Sequence, residues 1–419
     1  MIRRINDKIF YGWVMVAASM VIAGTLMGIR FSYGVFFKSL QSEFELTRAA
    51  TSNVYSAYMV GSAVLGILTG WVSDRYGPKL AACLMGLFTG LSLLVTSQTN
   101  AQWQLFLSYS LLLAMGSAAP APILVSAISR WFDKKRGNAT GITASGTALG
   151  TFVVAPFTAY LVSNLGWRMS FIVIGLIVWV VVISLALLLR RDPGEIGALP
   201  DGAIAGISRI EPTGMGNSRQ PAGLSLLQTA ATRNFWLLLS IWFMWGICLG
   251  LILTHLIPYA TDVGIPAIGA ATVLSVISGF QIPARVLSGR LSDIIGRKVP
   301  GIICGLLGTG AFMWLMWSHN LWMFYLFGAL FGLSWGGITV GSYMLTSDSF
   351  GGRNLGLIMG LLMVGFSMGT AVGSTFGGII FDVTDSYSVA FSTGAAAMLI
   401  TALLFALARN RMNTHPLFT

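Results

Sequence analysis

Charged side chains are scarce in this chain, at 9% of 419 residues with only 14 Asp and Glu. A soluble domain carries about 25%, so a water-soluble globular protein is excluded. Cysteine is almost absent. Cys83, Cys248 and Cys304 lie far apart inside apolar runs, without metal-ligand spacing, and read as small apolar packing groups. No His/Cys/Asp/Glu cluster has metal spacing, and no nucleophile–base arrangement can be argued. Gly308-Thr-Gly310 sits in an apolar run and lacks the Lys-Ser/Thr of a nucleotide loop. The chain is therefore not expected to be an enzyme, and no cofactor or metal is expected. The segments of about ten alternating residues that build outer-membrane barrels are missing too.

What is present is apolar surface: 55% of residues, with a mean hydropathy of +0.78. Crossing a hydrocarbon core of ~30 Å takes ~20 mostly apolar residues in a helix. Twelve such runs are legible, at roughly 10–37, 50–72, 79–97, 103–131, 138–163, 168–189, 233–260, 268–291, 299–317, 321–346, 354–381 and 387–408. The expected fold is an all-α, multi-pass membrane protein. One long polar stretch, containing Arg190, Arg191, Asp192 and Glu195 with several Gly and Pro, has the composition of a linker. The expected division is a six-helix bundle over 1–190, a cytoplasmic linker over 191–232 and a second six-helix bundle over 233–419. The first run is too long for the core of a cleavable signal and is expected to remain as the first span.

The two halves repeat each other. Gly70, Ser73, Asp74, Gly77 and Lys79 return 219 residues later as Gly289, Ser292, Asp293, Gly296 and Lys298. Gly137, Gly141, Gly146 and Gly150 return at the same offset as Gly356, Gly360, Gly365 and Gly369. A shared offset in separate segments marks a duplicated half joined head to tail. The spacing of the second glycine set places small residues near one helix face, suited either to close packing or to a contact that moves.

Basic residues set the orientation. With both termini inside, 20 of the 25 Lys and Arg fall in cytoplasmic segments, while Lys38, Arg48 and Arg168 lie outside. That accounts for the net charge of +11 through topology and an anionic inner leaflet, without nucleic acid.

Few ionisable groups remain within the runs: Arg30, His255 and Arg285. Every Asp and Glu falls in a loop or at a span end, Asp262 coming nearest to an exception. A central Arg costs about 2.5–3.5 kcal/mol on insertion scales. An anion arriving from water would supply its missing partner, and the guanidinium fork suits a carboxylate. Arg285 is the first candidate for substrate binding. Arg30 either binds substrate or snorkels outward. His255 is either a buried neutral ring or a proton-coupling or substrate contact. Tyr33, Tyr58, Trp335 and Tyr343 are polar-tipped groups that either line a cavity or face lipid.

The repeated loop, Gly70-Trp-Val-Ser-Asp74-Arg75-Tyr-Gly77-Pro-Lys79 with its copy from Gly289 to Lys298, resembles the signature loop of the major facilitator superfamily. The resemblance implies two pseudo-symmetric bundles and a cytoplasmic gate at Asp74, Arg75, Asp293 and Arg297. The run from Ala284-Arg285 to Asp293 resembles span eight of the monocarboxylate porters and the oxalate:formate antiporters. Tyr11-Gly12-Trp13 and Gly34-Val-Phe-Phe-Lys38 are similar to the porters, and Arg130-Trp131-Phe132 with Lys135-Arg136-Gly137 to the antiporters. Both families imply a carboxylate bound at Arg285, and the antiporters imply an aromatic contact at Trp335. Gln281 stands where animal porters carry an Asp, Phe31 with Arg30 beside it near a porter Lys, and Leu362 where antiporters carry a second cation. A dianion clamped between two cations is thus disfavoured, as is proton coupling through an Asp–Arg pair. His255, Arg285 or the substrate itself would carry the proton.

The expected function is secondary transport of small organic anions, most readily a proton-coupled monocarboxylate such as lactate or pyruvate, by alternating access. Anion exchange, or efflux of a hydrophobic metabolite or drug, is the alternative. The expected setting is a bacterial cytoplasmic membrane, as a monomer with both termini inside, its partners being the substrate, protons and the lipid bilayer.

Overall fold

The computed structural model describes residues 10–118, 120–132, 135–196, 226–296, 298–350 and 355–408. Among these residues every regular element is a helix. Ten are long and apolar enough to cross a bilayer. One of the ten, Arg136–Ala186, breaks at Gly166, whose φ of +74° only glycine adopts readily. The break divides it into two spans, and the 17-residue helix Val299–Leu315 completes a set of twelve.

In chain order these are α1 (Tyr11–Glu43), α2 (Arg48–Tyr76), α3 (Pro78–Ser97), α4 (Gln102–Ser129), α5 (136–165), α6 (167–186), α7 (Arg233–Asp262), α8 (Ala267–Ile295), α9 (Val299–Leu315), α10 (Leu321–Phe350), α11 (Leu355–Thr384) and α12 (Ser388–Leu407). Helices dominate because a bilayer offers backbone N–H and C=O groups no water, and a helix satisfies them internally.

The residues form two compact units. Unit one is Met1–Ser39 with Gly61–Gly214; unit two is Leu40–Val60 with Met215–Thr419. The start of α2 therefore groups with the C-terminal helices, although it belongs to the N-terminal copy of the repeat. Side chains explain this: Asp382 of α11 accepts the backbone N–H groups of Arg48 and Ala49, both at 2.8 Å.

Within each unit the duplication reappears as packing. In unit one α1 lies on α5, because a Cβ on Gly146 would overlap the Met20 carbonyl and one on Gly150 would overlap Gly24. In unit two α7 lies on α11, with Gly369 against the Phe243 carbonyl, Gly373 against Ile247 and Gly250 against Thr370. The packing role expected of the repeated glycines thus holds at Gly146, Gly150, Gly365 and Gly369. Gly137, Gly141 and Gly360 face open space, and the side of Gly356 is not described. The signature loops also share a backbone: Gly77 and Gly296 have φ of +92° and +93°. Both positions demand glycine because an L side chain there meets its own carbonyl.

Overpacking a tight contact costs on the order of 1–3 kcal/mol. Gly150→Val and Gly369→Val are each expected to lower the thermal midpoint of purified protein accordingly. Gly141→Ala, into open space, should leave the midpoint unchanged or raise it through a gain of up to about 1 kcal/mol in stability. An unshifted midpoint for both valine variants would refute the backbone contact.

Candidate functional site around Arg285

Arg285 sits on the lower half of α8, eight residues before the repeated Asp293. One turn earlier on the same face, Gln281 accepts a hydrogen bond from Arg285 Nη2 at 3.0 Å through Oε1. That is a neutral acceptor for a full charge. Among the described residues no carboxylate pairs with this guanidinium, and its buried Nε has no hydrogen-bond partner. The sequence expectation of an uncompensated cation within a span is met.

α10 rides directly on this turn. A Cβ on Gly336 would meet the Ala284 side chain and the Gln281 carbonyl, so the helices approach to backbone contact. Trp335, the preceding residue, packs edge-on to Trp245 of α7 at 6.4 Å between ring centroids. Tyr343, two turns further along α10, lies within electrostatic range of Arg285 and meets Trp242 edge-on at 5.4 Å. Trp242, Trp245 and Phe366 of α11 close the group, with Trp242–Trp245 at 5.3 Å and Trp245–Phe366 at 5.0 Å.

The two indoles change the chemistry. Trp242 is 1% exposed and Trp245 3%, and neither Nε1–H has a hydrogen-bond partner, nor does the Ser342 hydroxyl. Buried polar groups are normally satisfied, and an orphan costs about 1–3 kcal/mol. Arg285, Trp242 and Trp245 therefore hold unspent donors around one aromatic group. Such a set fits an acceptor-rich anion with an apolar body. Trp242 and Trp245 were not singled out from the sequence; in an apolar helix rich in aromatics, nothing but tertiary packing marks them.

Arg30, in the last helical turn before Ser32, is buried and stands 5.9 Å from the Phe31 ring centroid, so it does not snorkel outward. Tyr33 is fully buried against Tyr109 and Phe37; Arg30 and Tyr33 both belong to unit one. Tyr58 is buried beside Tyr55 in unit two.

His255 is fully buried in α7, in space cleared by Gly377. Its Nε2 is 2.8 Å from the Ser374 carbonyl and 3.3 Å from Ser52 Oγ, and its Nδ1 is 3.2 Å from the Tyr387 hydroxyl. A carbonyl only accepts, so Nε2 carries the proton. Tyr387 accepts from Arg48, and its oxygen also lies within hydrogen-bond distance of Nδ1.

Asp74 and Arg75 are exposed at the end of α2, where the Asp74 carbonyl accepts from Arg191 Nη2 at 3.1 Å. Asp293 occupies the last turn of α8, and Arg297 lies outside the described residues. A pocket of about 130 Å³ in unit one is lined by apolar groups apart from Thr69, and suits no anion.

The description "Major Facilitator Superfamily" fits residues 15–300 and again 256–417. The chain belongs to this superfamily. It is a multi-pass membrane transporter of small molecules and not an enzyme. Among its relatives is Monocarboxylate transporter 13 of Bos taurus, 25% identical over 93% of this chain and 87% of that one. Monocarboxylate transporter 12-B of Danio rerio is 23% identical over 94% and 86%. The fold is shared with a D-xylose–proton symporter, with a TM-score of 0.74, 14% identity and coverage of 97% and 100%. A bacterial homologue of the lysosomal transporter Spinster gives 0.71, 16% identity and 96% of each chain.

Replacing a buried, unpaired charge by an apolar group of similar volume is expected to stabilise by about 1–4 kcal/mol. Arg285→Met should therefore raise the thermal midpoint of ligand-free protein by a few degrees. A fall of similar size would make Arg285 a structural residue.

Proposed function

We propose that this transporter carries small organic anions, with a monocarboxylate of the lactate or pyruvate kind as the leading substrate and a proton as the coupling ion. The observation that carries the reading is the uncompensated guanidinium of Arg285, held by Gln281 and within electrostatic range of Tyr343, whose ring meets Trp242. In that role Arg285 takes the carboxylate through its fork, while the indole N–H groups take a second oxygen. The relatives named above, both called monocarboxylate transporters, support the same class.

A singly charged carboxylate moving with one proton crosses without net charge, which removes the cost of moving charge against a membrane potential. His255 is the proposed proton-coupling group, with Nδ1, 3.2 Å from the Tyr387 hydroxyl, as the nitrogen that would take the proton. Arg30, Tyr33 and Tyr58 remain proposed cavity residues of the first repeat half, 1–190, which the 191–232 linker joins to the second, 233–419. Asp74, Arg75, Asp293 and Arg297 are the proposed cytoplasmic gate. The setting proposed is a bacterial cytoplasmic membrane, with a monomer whose termini both lie inside. The unpaired cation and the scarcity of membrane-embedded carboxylates favour anion transport over efflux of a cationic drug.

The test is uptake of labelled lactate into proteoliposomes with and without an inward proton gradient. Gradient-stimulated uptake is expected, reduced about 10- to 100-fold in Arg285→Ala, as loss of a charge-assisted contact implies. Uptake that ignores the gradient but needs internal carboxylate would favour exchange. No uptake in either mode would remove lactate as a substrate.

A further inference from the structure

Trp242 and Trp245 share one face of α7, and their ring centroids are 5.3 Å apart. Other rings surround them. Trp242 meets Tyr343 and Phe366 at 5.4 and 6.0 Å, and Trp245 meets Phe366 and Trp335 at 5.0 and 6.4 Å. A ring offers an N–H at most its π-face, a second-order partner. Both Nε1–H groups are sealed here without an acceptor. Apolar packing alone does not call for indoles at these positions, since phenylalanine supplies a ring with no donor to satisfy. We propose that Trp242 and Trp245 are specificity residues of this carrier. Their N–H groups read the substituent beside the carboxylate as an acceptor, so that 2-oxo acids are taken in preference to 2-hydroxy and 2-amino acids of the same skeleton. That selection rests on the reading of Arg285 as the partner of the carboxylate.

The balance of donors over acceptors sets the class. A guanidinium carries five N–H groups and an indole one, and neither accepts a hydrogen bond. Gln281 Oε1 is already engaged by Arg285 Nη2 at 3.0 Å. Arg285 Nε and both indole nitrogens are left without a partner, against the Ser342 hydroxyl, which can turn either way. A 2-oxo oxygen has two lone pairs and no proton, so it satisfies two such donors at once. A 2-hydroxyl brings one more donor to a group already short of acceptors. A 2-ammonium accepts nothing and sets a second positive charge beside the guanidinium. A donor left unpaired is what separates ligands that differ by one polar atom. Tyr343 is the way in. It is 41% exposed, lies within electrostatic range of Arg285 and meets Trp242 edge-on. An acid held at Arg285 thus reaches the indoles by displacing one partly exposed ring.

The test is thermal-shift titration of purified protein with two matched sets: pyruvate, lactate and alanine, then phenylpyruvate, phenyllactate and phenylalanine. Neither transport nor proton coupling enters that readout. In at least one set the 2-oxo acid is expected to bind at least about fivefold tighter than its 2-hydroxy partner, as one unpaired buried donor implies. The amino acid should not bind. Trp242→Phe and Trp245→Phe keep a ring and lose the N–H. Each should weaken the 2-oxo acid by about fivefold or more and leave the 2-hydroxy acid within about twofold, so that the preference closes. Trp236→Phe, at an exposed ring on the same helix, should leave the preference as it is. Equal binding of the two acids by the parent would overturn the selection, as would a preference that survives both α7 variants. Weakening of both acids alike would do the same, since lost packing does not distinguish them. In those cases loss of binding in Arg285→Ala would leave the carboxylate role standing. Undiminished binding in Arg285→Ala, or no acid bound by the parent, would remove that role and the selection with it.

Discussion

The close approach of α7 to α11 sets the position of the polar groups that those two helices carry in the C-terminal unit. Gly250, Gly369 and Gly373 bring two backbones together where any Cβ would collide. Van der Waals contact and small residues drive such association in a bilayer, because lipid tails are as apolar as leucine. From that seam α7 presents Trp242 and Trp245 on one stretch and His255 on another, while α11 presents Phe366, then Ser374 and Asp382. That contact places Trp242, Trp245 and Phe366 as well as His255 and Asp382, while Arg285 is set by the approach of α10 to α8 at Gly336. The matching α1–α5 seam in unit one rests on Gly146 and Gly150.

Arg48 and Arg285, both in unit two, show how differently a charge can be kept within apolar helices. Arg48 is fully engaged, with a carboxylate, a phenol and an aromatic face as partners. Arg285 has one neutral amide. Both are carried on long helices, and both would be costly alone in hydrocarbon. The asymmetry separates a residue that stabilises a conformation from one whose missing partner arrives with the cargo. Gln281 orients the Arg285 guanidinium without neutralising it, which an aspartate at that position would not do.

Much of this was legible in the chain. Period, length and polarity gave the spans to within a few residues of α1 to α12, because a bilayer leaves helix as the form for a long apolar run. The offset of 219 predicted that Gly77 and Gly296 play one role, and their backbones agree. Arg285 stood out because charge inside a span is rare. Less legible were residues whose meaning is relational. Arg48 looked like a flank of the second span, Asp382 like a span end, and the tryptophans of α7 like any aromatic in an apolar helix. His255 was left open between a structural ring and a proton carrier; its bond to the Ser374 carbonyl puts a proton on Nε2.

The sequence by itself determined the class of molecule, its duplicated plan and the presence of a cation without a carboxylate nearby in the chain. Those properties depend on composition and spacing, which membrane physics reads almost locally. Only the tertiary structure decided that Trp242 and Trp245 keep unspent donors beside Tyr343 and Trp335, that Arg30 is buried, and that the start of α2 is bound by α7, α11 and α12. Hydrogen-bond satisfaction is a property of pairs brought together across hundreds of residues, as Arg48 and Asp382 are, and no periodicity in a single chain encodes which pairs will meet.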